Sequence, residues 1–446
     1  MQLPELFVER MKVMLGADYA AFEQALQSPP PVSVRVNDKL KNYTPSEYRV
    51  PWCDSGYYLD ERPLFTADPF LHAGVYYVQE ASSMFLKHVV KSFLADAVCV
   101  LDLCAAPGGK STLFLESLPD NTLLVSNEII RSRAQILAEN ITKWGNPNVV
   151  VTNNAPKDFQ YFPQFFDAVL VDAPCSGEGM FRKDKTAIQE WSMQNVQNCA
   201  IRQKDILQDV WDSLKDNGLL IYSTCTYNRE ENEEQIAWIC SELGAEHLEI
   251  DISEFNGIVE SDYGYRFYPH KIRGEGLFMA VLRKKSTGHA ASNSRTNKLR
   301  KNTPIINHTK AYGSQILNSE NFEIIEQNNQ IRAIPLSHLE VCLRLQNHLN
   351  CLINGVLIAE IKAKDHIPAH QFALSKIINS NQFLFYDVDY NTAISYLKRE
   401  NILLPGTLQR AYVLIRYKQQ RLGWVKHLGN RTNNMYPQYW RIKMQL

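Results

Sequence analysis

The amino-acid sequence predicts an α/β protein built on a Rossmann-like, doubly wound parallel sheet. From Ala97 onward, β-rich runs alternate with helical segments: VCVLDLC, KSTLFLESL, TLLVSN, IIRSRAQILAENITKW, NVVVTN, DAVLVDA, a long helical stretch around 186–215, GLLIYST and REENEEQIAWICSEL. Strands that alternate with helices favour parallel pairing, with helices on both faces of the sheet. The later run GLFMAVLRK predicts an antiparallel strand at the edge of this sheet.

The change of pattern along the chain divides its 446 residues into four segments. We expect an N-terminal region over residues 1–95 that is helical at first and then rich in loops, followed by the sheet domain over residues 96–285. A basic linker is expected over residues 286–310. Residues 311–446 are expected to form a smaller mixed α+β region of short strands and helices.

Composition excludes several classes of protein. The chain is 45% hydrophobic and 21% charged, as is usual for a globular protein, and no apolar run approaches the length of a membrane span. Its first residues, MQLPELFVERMKVML, indicate an amphipathic helix rather than a signal peptide, so we expect a cytoplasmic protein. The nine cysteines form no CxxC pair, which argues against a zinc site or a disulfide framework. We expect no metal and a monomer.

The distribution of charge points to a nucleic-acid partner. The formal net charge is −1, but residues 282–310 and residues 401–446 each hold eight Lys or Arg and no acid. The second stretch also contains six large aromatic residues: Tyr412, Tyr417, Trp424, Tyr436, Tyr439 and Trp440. Basic groups interleaved with stacking surfaces suit RNA with unpaired bases. We therefore expect RNA as the partner, and no membrane.

The turn after the first predicted strand of the sheet is the main candidate for a ligand site. It reads Cys104-Ala105-Ala106-Pro107-Gly108-Gly109-Lys110. Ligands of open parallel sheets bind at the carboxyl ends of the strands, and small residues let the backbone approach them. The turn resembles the phosphate loop GxxxxGK[ST], but Cys104 stands where the first glycine belongs. An RNA-dependent NTPase is therefore an alternative.

The end of the second strand favours a different ligand. Glu128 stands at its tip, where an acid binds ribose hydroxyls in doubly wound folds. The dinucleotide fingerprint GxGxxG is absent. A nucleoside that carries an amino acid and no phosphate fits both observations. We therefore expect S-adenosylmethionine as the cofactor.

Two cysteines follow neighbouring strands at the same edge of the predicted sheet. Cys175 follows Asp172 after the fourth strand, and Cys225 follows the fifth. Methylation of carbon 5 of a pyrimidine requires a thiolate to add at carbon 6, and a base must later remove the carbon 5 proton. Asp172 suits assistance at N3 of the base. On this reasoning either cysteine could be the nucleophile.

The separated motifs LDLCAAPGGKST, SNEI, VLVDAPCSGEGMFRKD, YSTCTYNREENE and FYPHKIRGEGLFMAVL resemble the NOP/Sun family of RNA cytosine carbon-5 methyltransferases. The opening LPELFVERM and VSVRVN resemble the family's N-terminal region. The tail RLGWVKHLGNRTNNMYPQYWRI is similar to that of the RsmF-like branch, which acts on 16S rRNA and ends in a PUA-like domain. This resemblance implies a methyltransferase sheet flanked by RNA-binding regions, and 5-methylcytosine as the product.

The resemblance also implies roles for single residues. Cys225 corresponds to the nucleophile and Cys175 to the residue that releases the product. Cofactor contacts are implied for Cys104, Ala105, Ala106, Pro107, Gly108, Gly109, Lys110, Glu128, Arg133 and Asp172. The sequence departs from the family after the third strand, where Ala155 replaces an Asp that contacts adenine. Asn153 or Asn154 could offer an amide oxygen there instead.

A second alternative is a ribosome-assembly protein that binds RNA without catalysis. The presence of Asp172, Cys175 and Cys225 together argues against it. We therefore predict an S-adenosylmethionine-dependent methyltransferase that acts on 16S rRNA or the small ribosomal subunit.

Overall fold

The structure, a computed structural model, describes residues 2–40, 43–286 and 306–444. Its centre is a ten-stranded mixed sheet, which confirms the predicted doubly wound methyltransferase-type fold. Five strands pair in parallel in the order β9-β8-β5-β6-β7. They are β5 (Cys99–Asp102), β6 (Leu123–Asn127), β7 (Val149–Thr152), β8 (Phe166–Asp172) and β9 (Leu214–Thr224).

Alternating residues of these strands face two separate cores. Val100 packs with helices α4 (Leu86–Phe93), α5 (Gly109–Ser117) and α6 (Arg131–Trp144) on one face. Its neighbour Leu101 packs on the other face with helices α8 (Met193–Trp211), α9 (Glu233–Glu242) and α11 (Leu339–His348). The short helix α7 (Lys185–Glu190) precedes α8. Because both faces are covered, the strands consist of nearly continuous apolar residues instead of alternating polar and apolar ones.

The prediction that GLFMAVLRK forms an edge strand is wrong. This run forms β13 (Leu277–Lys284), which lies inside the sheet because it pairs antiparallel with β9 on one side and with β12 (Gly264–Phe267) on the other. Beyond β12 lies β11 (Ile258–Ser261), and β10 (Ala245–Leu248) also pairs with β13. The apolar character of β13 reflects this interior position, since its first six residues are all buried.

The N-terminal region contains more β-structure than the sequence suggested. Helices α1 (Glu5–Leu15) and α2 (Tyr19–Gln27) are followed by a four-stranded antiparallel sheet in the order β2-β3-β1-β4, in place of the expected loops. Its strands are β1 (Val32–Val36), β2 (Arg49–Val50), β3 (Cys53–Leu59) and β4 (Tyr76–Val78), and the short helix α3 (Pro69–His72) precedes β4. Strands of two to seven residues, paired at long range, leave only a weak periodic signal.

A buried arginine joins this N-terminal sheet to the helix that follows the glycine loop. Arg35 of β1 is completely buried. Its guanidinium donates to Gln79 Oε1 at 2.8 Å and to Thr112 Oγ1 at 2.5 Å, and it also bonds the Gly109 carbonyl and the Glu116 carboxylate. Burial would raise the pKa of the Glu116 carboxyl, but Arg35 and Lys87 together hold that pKa below its ordinary value. The helix after the glycine loop is thereby held by a charged network.

The C-terminal region forms two sheets and also contributes to the central one. A five-stranded sheet contains β14 (Ile306–Asn307), β15 (Phe322–Gln327), β16 (Gln330–Pro335), β18 (Val356–Lys362) and β19 (Asp365–Pro368), with helices α10 (Thr309–Tyr312) and α12 (His370–Leu374). A four-stranded sheet contains β20 (Leu384–Val388), β21 (Tyr412–Tyr417), β22 (Gln420–His427) and β23 (Thr432–Asn434), with helix α13 (Tyr390–Leu397). Strand β17 (Cys351–Asn354) pairs antiparallel with β7.

The C-terminal region is therefore not separate from the sheet domain. Strand β17 completes the sheet beside β7, and helix α11 packs into its core. Lys39 adds a second joint, since its ammonium group donates to the carbonyls of Ala73, Lys143 and Leu374, which belong to three different regions. The central part of the predicted linker, residues 287–305, lies outside the described residues.

Two of the six aromatic residues predicted to stack on RNA are instead core residues. Trp424 and Tyr436 are both 1% exposed. Tyr412, Tyr417 and Trp440 are half-buried, and Tyr439 is 92% exposed. Within the described residues, no helix is long and apolar enough to cross a membrane.

We predict that Arg35→Met lowers the free energy of unfolding by about 3–5 kcal/mol, because a buried ion pair loses one partner and buried acceptors lose their donor. Urea unfolding measures this effect. The matched control is Arg49→Met in the same sheet, where an exposed guanidinium stacks on Tyr57 at 5.2 Å. Arg49→Met should lower the free energy of unfolding by no more than about 1 kcal/mol. Equal losses in the two variants would contradict the role of Arg35.

Candidate active site

The glycine loop lies at the carboxyl end of β5, against a cavity of about 410 Å³. Gly108 adopts a positive φ of 113° at the N-cap of α5, a backbone conformation that favours glycine. The cavity is lined from the predicted site by Cys104, Ala105, Ala106, Pro107, Gly109, Lys110, Asp172 and Cys225. Its volume falls within the range of about 300–1,000 Å³ typical of small-molecule sites.

Residues far from the loop in the sequence complete the cavity. The N-terminal sheet and the turn after it supply Tyr77, Val78, Gln79, Glu80 and Ser83, and the segment before and at the start of β13 supplies Glu275, Gly276 and Leu277. Met180 and Lys183 come from the turn that follows Cys175. None of these residues was predicted to line the site. Met180, Lys183, Glu275, Gly276 and Leu277 lie within the motifs VLVDAPCSGEGMFRKD and FYPHKIRGEGLFMAVL, which are the signal that could have found them.

Asp102 is a cavity residue that the sequence reasoning missed. It is the last residue of β5 and is fully buried, and burial raises the pKa of its carboxyl to about 7. Its Oδ2 accepts a hydrogen bond from Ser111 Oγ at 2.6 Å, and its Oδ1 has no hydrogen-bond partner among the described residues. Its position at the end of the first parallel strand is the signal that could have identified it.

Lys110 and Asp172 form an ion pair inside the cavity. Lys110 Nζ lies 2.8 Å from Asp172 Oδ1, which also accepts a hydrogen bond from Ser223 Oγ at 2.7 Å. Burial alone would lower the pKa of Lys110, but the Asp172 carboxylate raises it above its ordinary value. A phosphate loop needs this lysine for the β- and γ-phosphates. Its pairing here, in a cavity that also contains Asp102, argues against the NTPase alternative.

The two predicted cysteines meet at the ends of β8 and β9, as expected. Cys175 Sγ lies 3.3 Å from Cys225 Sγ, and of the two only Cys225 lines the cavity. The hydrogen bond to Cys225, together with burial, raises the pKa of the Cys175 thiol well above its ordinary value. Cys175 therefore favours its protonated form, and the roles of the two sulfurs stay predictions.

Buried carboxylates hold the two loops that carry the thiols. Glu231 accepts hydrogen bonds from Ser176 N at 3.0 Å, next to Cys175, and from Gln203 Nε2 at 2.9 Å. Glu178 Oε2 accepts from Tyr227 N at 2.8 Å, two residues beyond Cys225. These hydrogen bonds join the loop after Cys175 to the loop after Cys225 and to helix α8.

Glu128 and Arg133 lie beside the glycine loop, outside the lining of this cavity. Glu128 is 3% exposed and accepts a hydrogen bond from Ile130 N at 2.9 Å. Arg133 donates to the Ala106 carbonyl at 2.9 Å and lies 3.5 Å from Glu128. Arg133 therefore connects Glu128, the residue expected to bind the ribose, to the glycine loop. A direct cofactor contact by either residue stays a prediction.

The loop after β7 is occupied by contacts within the protein. The amide oxygen of Asn154, one candidate to replace the missing Asp, accepts from Asn350 N at 2.9 Å just before β17. Its amide nitrogen donates to Asp158 at 3.0 Å, and the Ala155 N–H donates to the same carboxylate oxygen at 3.1 Å. The structure thus places an acid, Asp158, at the backbone of Ala155. Adenine contacts by Asn154 or Ala155 stay predictions.

The cavity residues fit S-adenosylmethionine. This cofactor carries an ammonium and a sulfonium group, and the cavity offers the buried Asp102 with an unpartnered oxygen together with a backbone turn of small residues. Residues that would hold it are Asp102, Cys104 and the rest of the glycine loop. Among the described residues, no three His, Cys, Asp or Glu side chains are grouped as metal ligands.

Comparisons with known families identify three matching segments. Residues 93–283 match the family model of 16S rRNA methyltransferase RsmB/F. Residues 3–81 match the N-terminal domain of 16S rRNA methyltransferase RsmF, and residues 383–442 match the methyltransferase RsmF PUA domain. The last match spans the four-stranded sheet of β20 to β23.

Known proteins similar to the full chain carry the same family name. The chain is 30% identical to the ribosomal RNA small subunit methyltransferase F of Vibrio cholerae, over 98% of this chain and 97% of that protein. It is 29% identical to the protein of the same name from Vibrio atlanticus, with equal coverage. The crystal structure of a methyltransferase homologue from Pyrococcus horikoshii superposes with a TM-score of 0.54 and 26% identity, and covers 63% of this chain and 95% of that one.

We predict that affinity for S-adenosylhomocysteine depends on pH through Asp102. With a carboxyl pKa of about 7, Asp102 is increasingly protonated below that pH and no longer attracts the ligand's ammonium group. The Kd should therefore rise about tenfold from pH 8 to pH 6, measured by isothermal titration calorimetry. Asp102→Asn should bind more weakly and show a flat profile. A variant that is as pH-dependent as the wild type would exclude Asp102 as the titrating group.

Proposed function

The chain belongs to the RsmB/F family of 16S rRNA methyltransferases, and from this premise we propose that it methylates a cytosine through a covalent adduct with Cys225. It is an S-adenosylmethionine-dependent rRNA cytosine-C5 methyltransferase. The observation that carries the covalent mechanism is the pair of sulfurs 3.3 Å apart, with one of them open to the cavity.

Carbon 5 of cytosine is too weak a nucleophile to be methylated directly. In the proposed reaction the Cys225 thiolate adds to carbon 6, and the electron pair of the 5,6 double bond becomes available at carbon 5. S-adenosylmethionine would supply the electrophilic methyl group. As carbon 5 bonds this group, the bond from the methyl carbon to the sulfonium sulfur breaks, and S-adenosylhomocysteine leaves. Carbon 5 now holds both a proton and a methyl group. Removal of that proton restores the double bond and expels the Cys225 thiolate.

The Lys110–Asp172 pair supports the addition step. The ammonium group of Lys110 has donors beyond the one that Asp172 accepts, so it can hydrogen-bond N3 or O2 while negative charge develops on the ring. Asp172, expected from the sequence to assist at N3, acts in this proposal by holding Lys110 protonated and in place. Ser223 in turn orients Asp172.

Cys175 is suited to the release step. Its thiol keeps its proton while Cys225 is free, since the neighbouring sulfur raises its pKa. Once Cys225 is a thioether, that sulfur no longer carries negative charge, and the pKa of Cys175 falls. Cys175 can then act as, or assist, the base that removes the carbon 5 proton.

We predict opposite behaviour of two cysteine variants with 16S rRNA. Cys225→Ala should transfer no methyl group and form no adduct. Cys175→Ala should methylate once and stay attached, giving a slower RNA–protein band on a denaturing gel. Cys240→Ala, a half-buried cysteine of α9 away from the cavity, is the matched control and should turn over normally. Multiple turnover by either catalytic variant would overturn its assigned role.

RNA binding is assigned in this proposal to the N- and C-terminal regions that flank the catalytic sheet. A target base must leave its stack to reach the strand ends, at a cost of a few kcal/mol that contacts elsewhere offset. The C-terminal sheet retains exposed basic residues with no acid from residue 401 onward. Arg410 and Arg431 are exposed, and the Arg410 guanidinium packs near Gly429, so both lie at the same end of the strands of this sheet.

We predict that Arg410→Gln with Arg431→Gln weakens binding of 16S rRNA and flattens its salt dependence. Each lost phosphate contact should reduce the log–log slope by roughly 0.7–0.9. Filter binding from low to moderate salt measures both quantities. Arg202→Gln with Arg283→Gln removes the same charge from exposed sites on the catalytic domain and is the control. Identical slopes in both double variants would exclude this end of the sheet as a phosphate-binding surface.

A further inference from the structure

Glu275 is a cavity residue with no role in the proposed mechanism. It is 2% exposed, and its Oε2 accepts a hydrogen bond from Arg182 Nε at 2.9 Å. Its Oε1 accepts no hydrogen bond from any residue that the structure describes, and Lys183 Nζ is 3.6 Å away. A buried carboxylate oxygen without a donor is costly, so a ligand that supplies the donor is a reason to retain it.

The register of β13 places Glu275 near the reactive sulfur. Phe278 pairs with Thr224, so Leu277 comes next, opposite Cys225. Glu275 lies in the bend just before this strand, and both Glu275 and Cys225 line the cavity. A methyl group added at Gly179 would lie 2.8 Å from the Cys225 carbonyl and 3.2 Å from that of Gly276, which shows how closely these segments approach.

The position of Glu275 is rigid. Its N–H donates to Glu80 Oε1 at 3.0 Å, and its carbonyl accepts from Tyr227 OH at 2.5 Å. Arg182 is also held, because it donates to the Ala25 carbonyl at 3.1 Å as well as to Glu275. The carboxylate therefore cannot easily turn away from the cavity to find another partner.

The chemistry of the free oxygen distinguishes the two RNA pyrimidines. Cytosine carries an amino group on carbon 4, which donates a hydrogen bond, whereas uracil carries a carbonyl oxygen there, which only accepts. A fixed carboxylate oxygen attracts the first and repels the second. Lys110 and Asp172 lie near N3 and O2 of the ring in the proposed mechanism. O2 is an acceptor in both bases, whereas N3 accepts a hydrogen bond in cytosine and carries a proton in uracil.

We propose that Glu275 determines the choice of cytosine over uracil by accepting a hydrogen bond from the amino group of the target base. This inference rests on the proposed function, because it requires the base to lie between Cys225 and Lys110. The role is one of specificity, distinct from the covalent chemistry of the two cysteines.

The test uses full-length enzyme and two transcripts of the 16S rRNA from the genome that encodes it. One keeps the target cytidine, located by bisulfite sequencing, and the other has uridine at that position. With Glu275→Gln, kcat/KM on the cytidine transcript should fall about tenfold or more, as expected for a lost hydrogen bond to a charged group. The uridine transcript should become a substrate, because the amide can donate to the carbon 4 oxygen. Affinity for S-adenosylhomocysteine should stay unchanged.

Two further variants distinguish a role of Glu275 in base selection from a role in supporting the surrounding structure. Glu275→Asp withdraws the charge from the base and offers no donor, so it should lose activity on cytidine without gaining any on uridine. Arg182→Lys loosens the anchor but keeps the carboxylate, so it should retain the preference for cytidine. If Glu275→Gln leaves the ratio of the two activities unchanged, or if Arg182→Lys alters that ratio equally, the inference is overturned. Failure of the wild type to methylate the cytidine transcript would instead overturn the proposed function.

Discussion

The parallel pairing of five strands is the constraint on which the site depends. Parallel strands end at the same edge of a sheet, so the residues that follow β5, β8 and β9 are neighbours although 50 or more positions separate them in the chain. This is why Cys175 and Cys225 approach to 3.3 Å and why Lys110 reaches Asp172 at 2.8 Å. No single loop could bring these groups together with the same rigidity.

Buried charges fix the elements around that edge. Arg35 joins the N-terminal sheet to the helix after the glycine loop, and Glu231 holds the loop that follows Cys175. A buried charge is costly unless its partners are close and complete, so each of these networks favours one arrangement of the loops over alternatives. Among the buried oxygens that have no hydrogen-bond partner in the described residues, two belong to carboxylates, those of Asp102 and Glu275, and both residues line the cavity.

The flanking regions are part of the catalytic structure as well as candidates for RNA binding. The N-terminal sheet closes the cavity with Tyr77 and Gln79, and β17 from the C-terminal region extends the central sheet next to β7. Asn350 bonds the loop after β7, where contacts to the cofactor's adenine are expected. A disturbance of the C-terminal region therefore reaches the cofactor side of the sheet through hydrogen bonds of the backbone.

The sequence by itself determined the parallel core, because apolar runs and helical periodicity are local signals. It also determined which edge of the sheet carries the site, because the strand ends are followed by Cys104, Asp172, Cys175 and Cys225. Which cysteine is the nucleophile was open from the residues alone, and the cavity favours Cys225 because only that sulfur lines it. Only the tertiary structure decided where β17 and the N-terminal strands pair, which aromatic residues of the tail are buried, and that Asp102 and Glu275 face the cavity. Long-range pairing and burial depend on contacts between segments far apart in the chain, and a local sequence pattern does not predict such contacts.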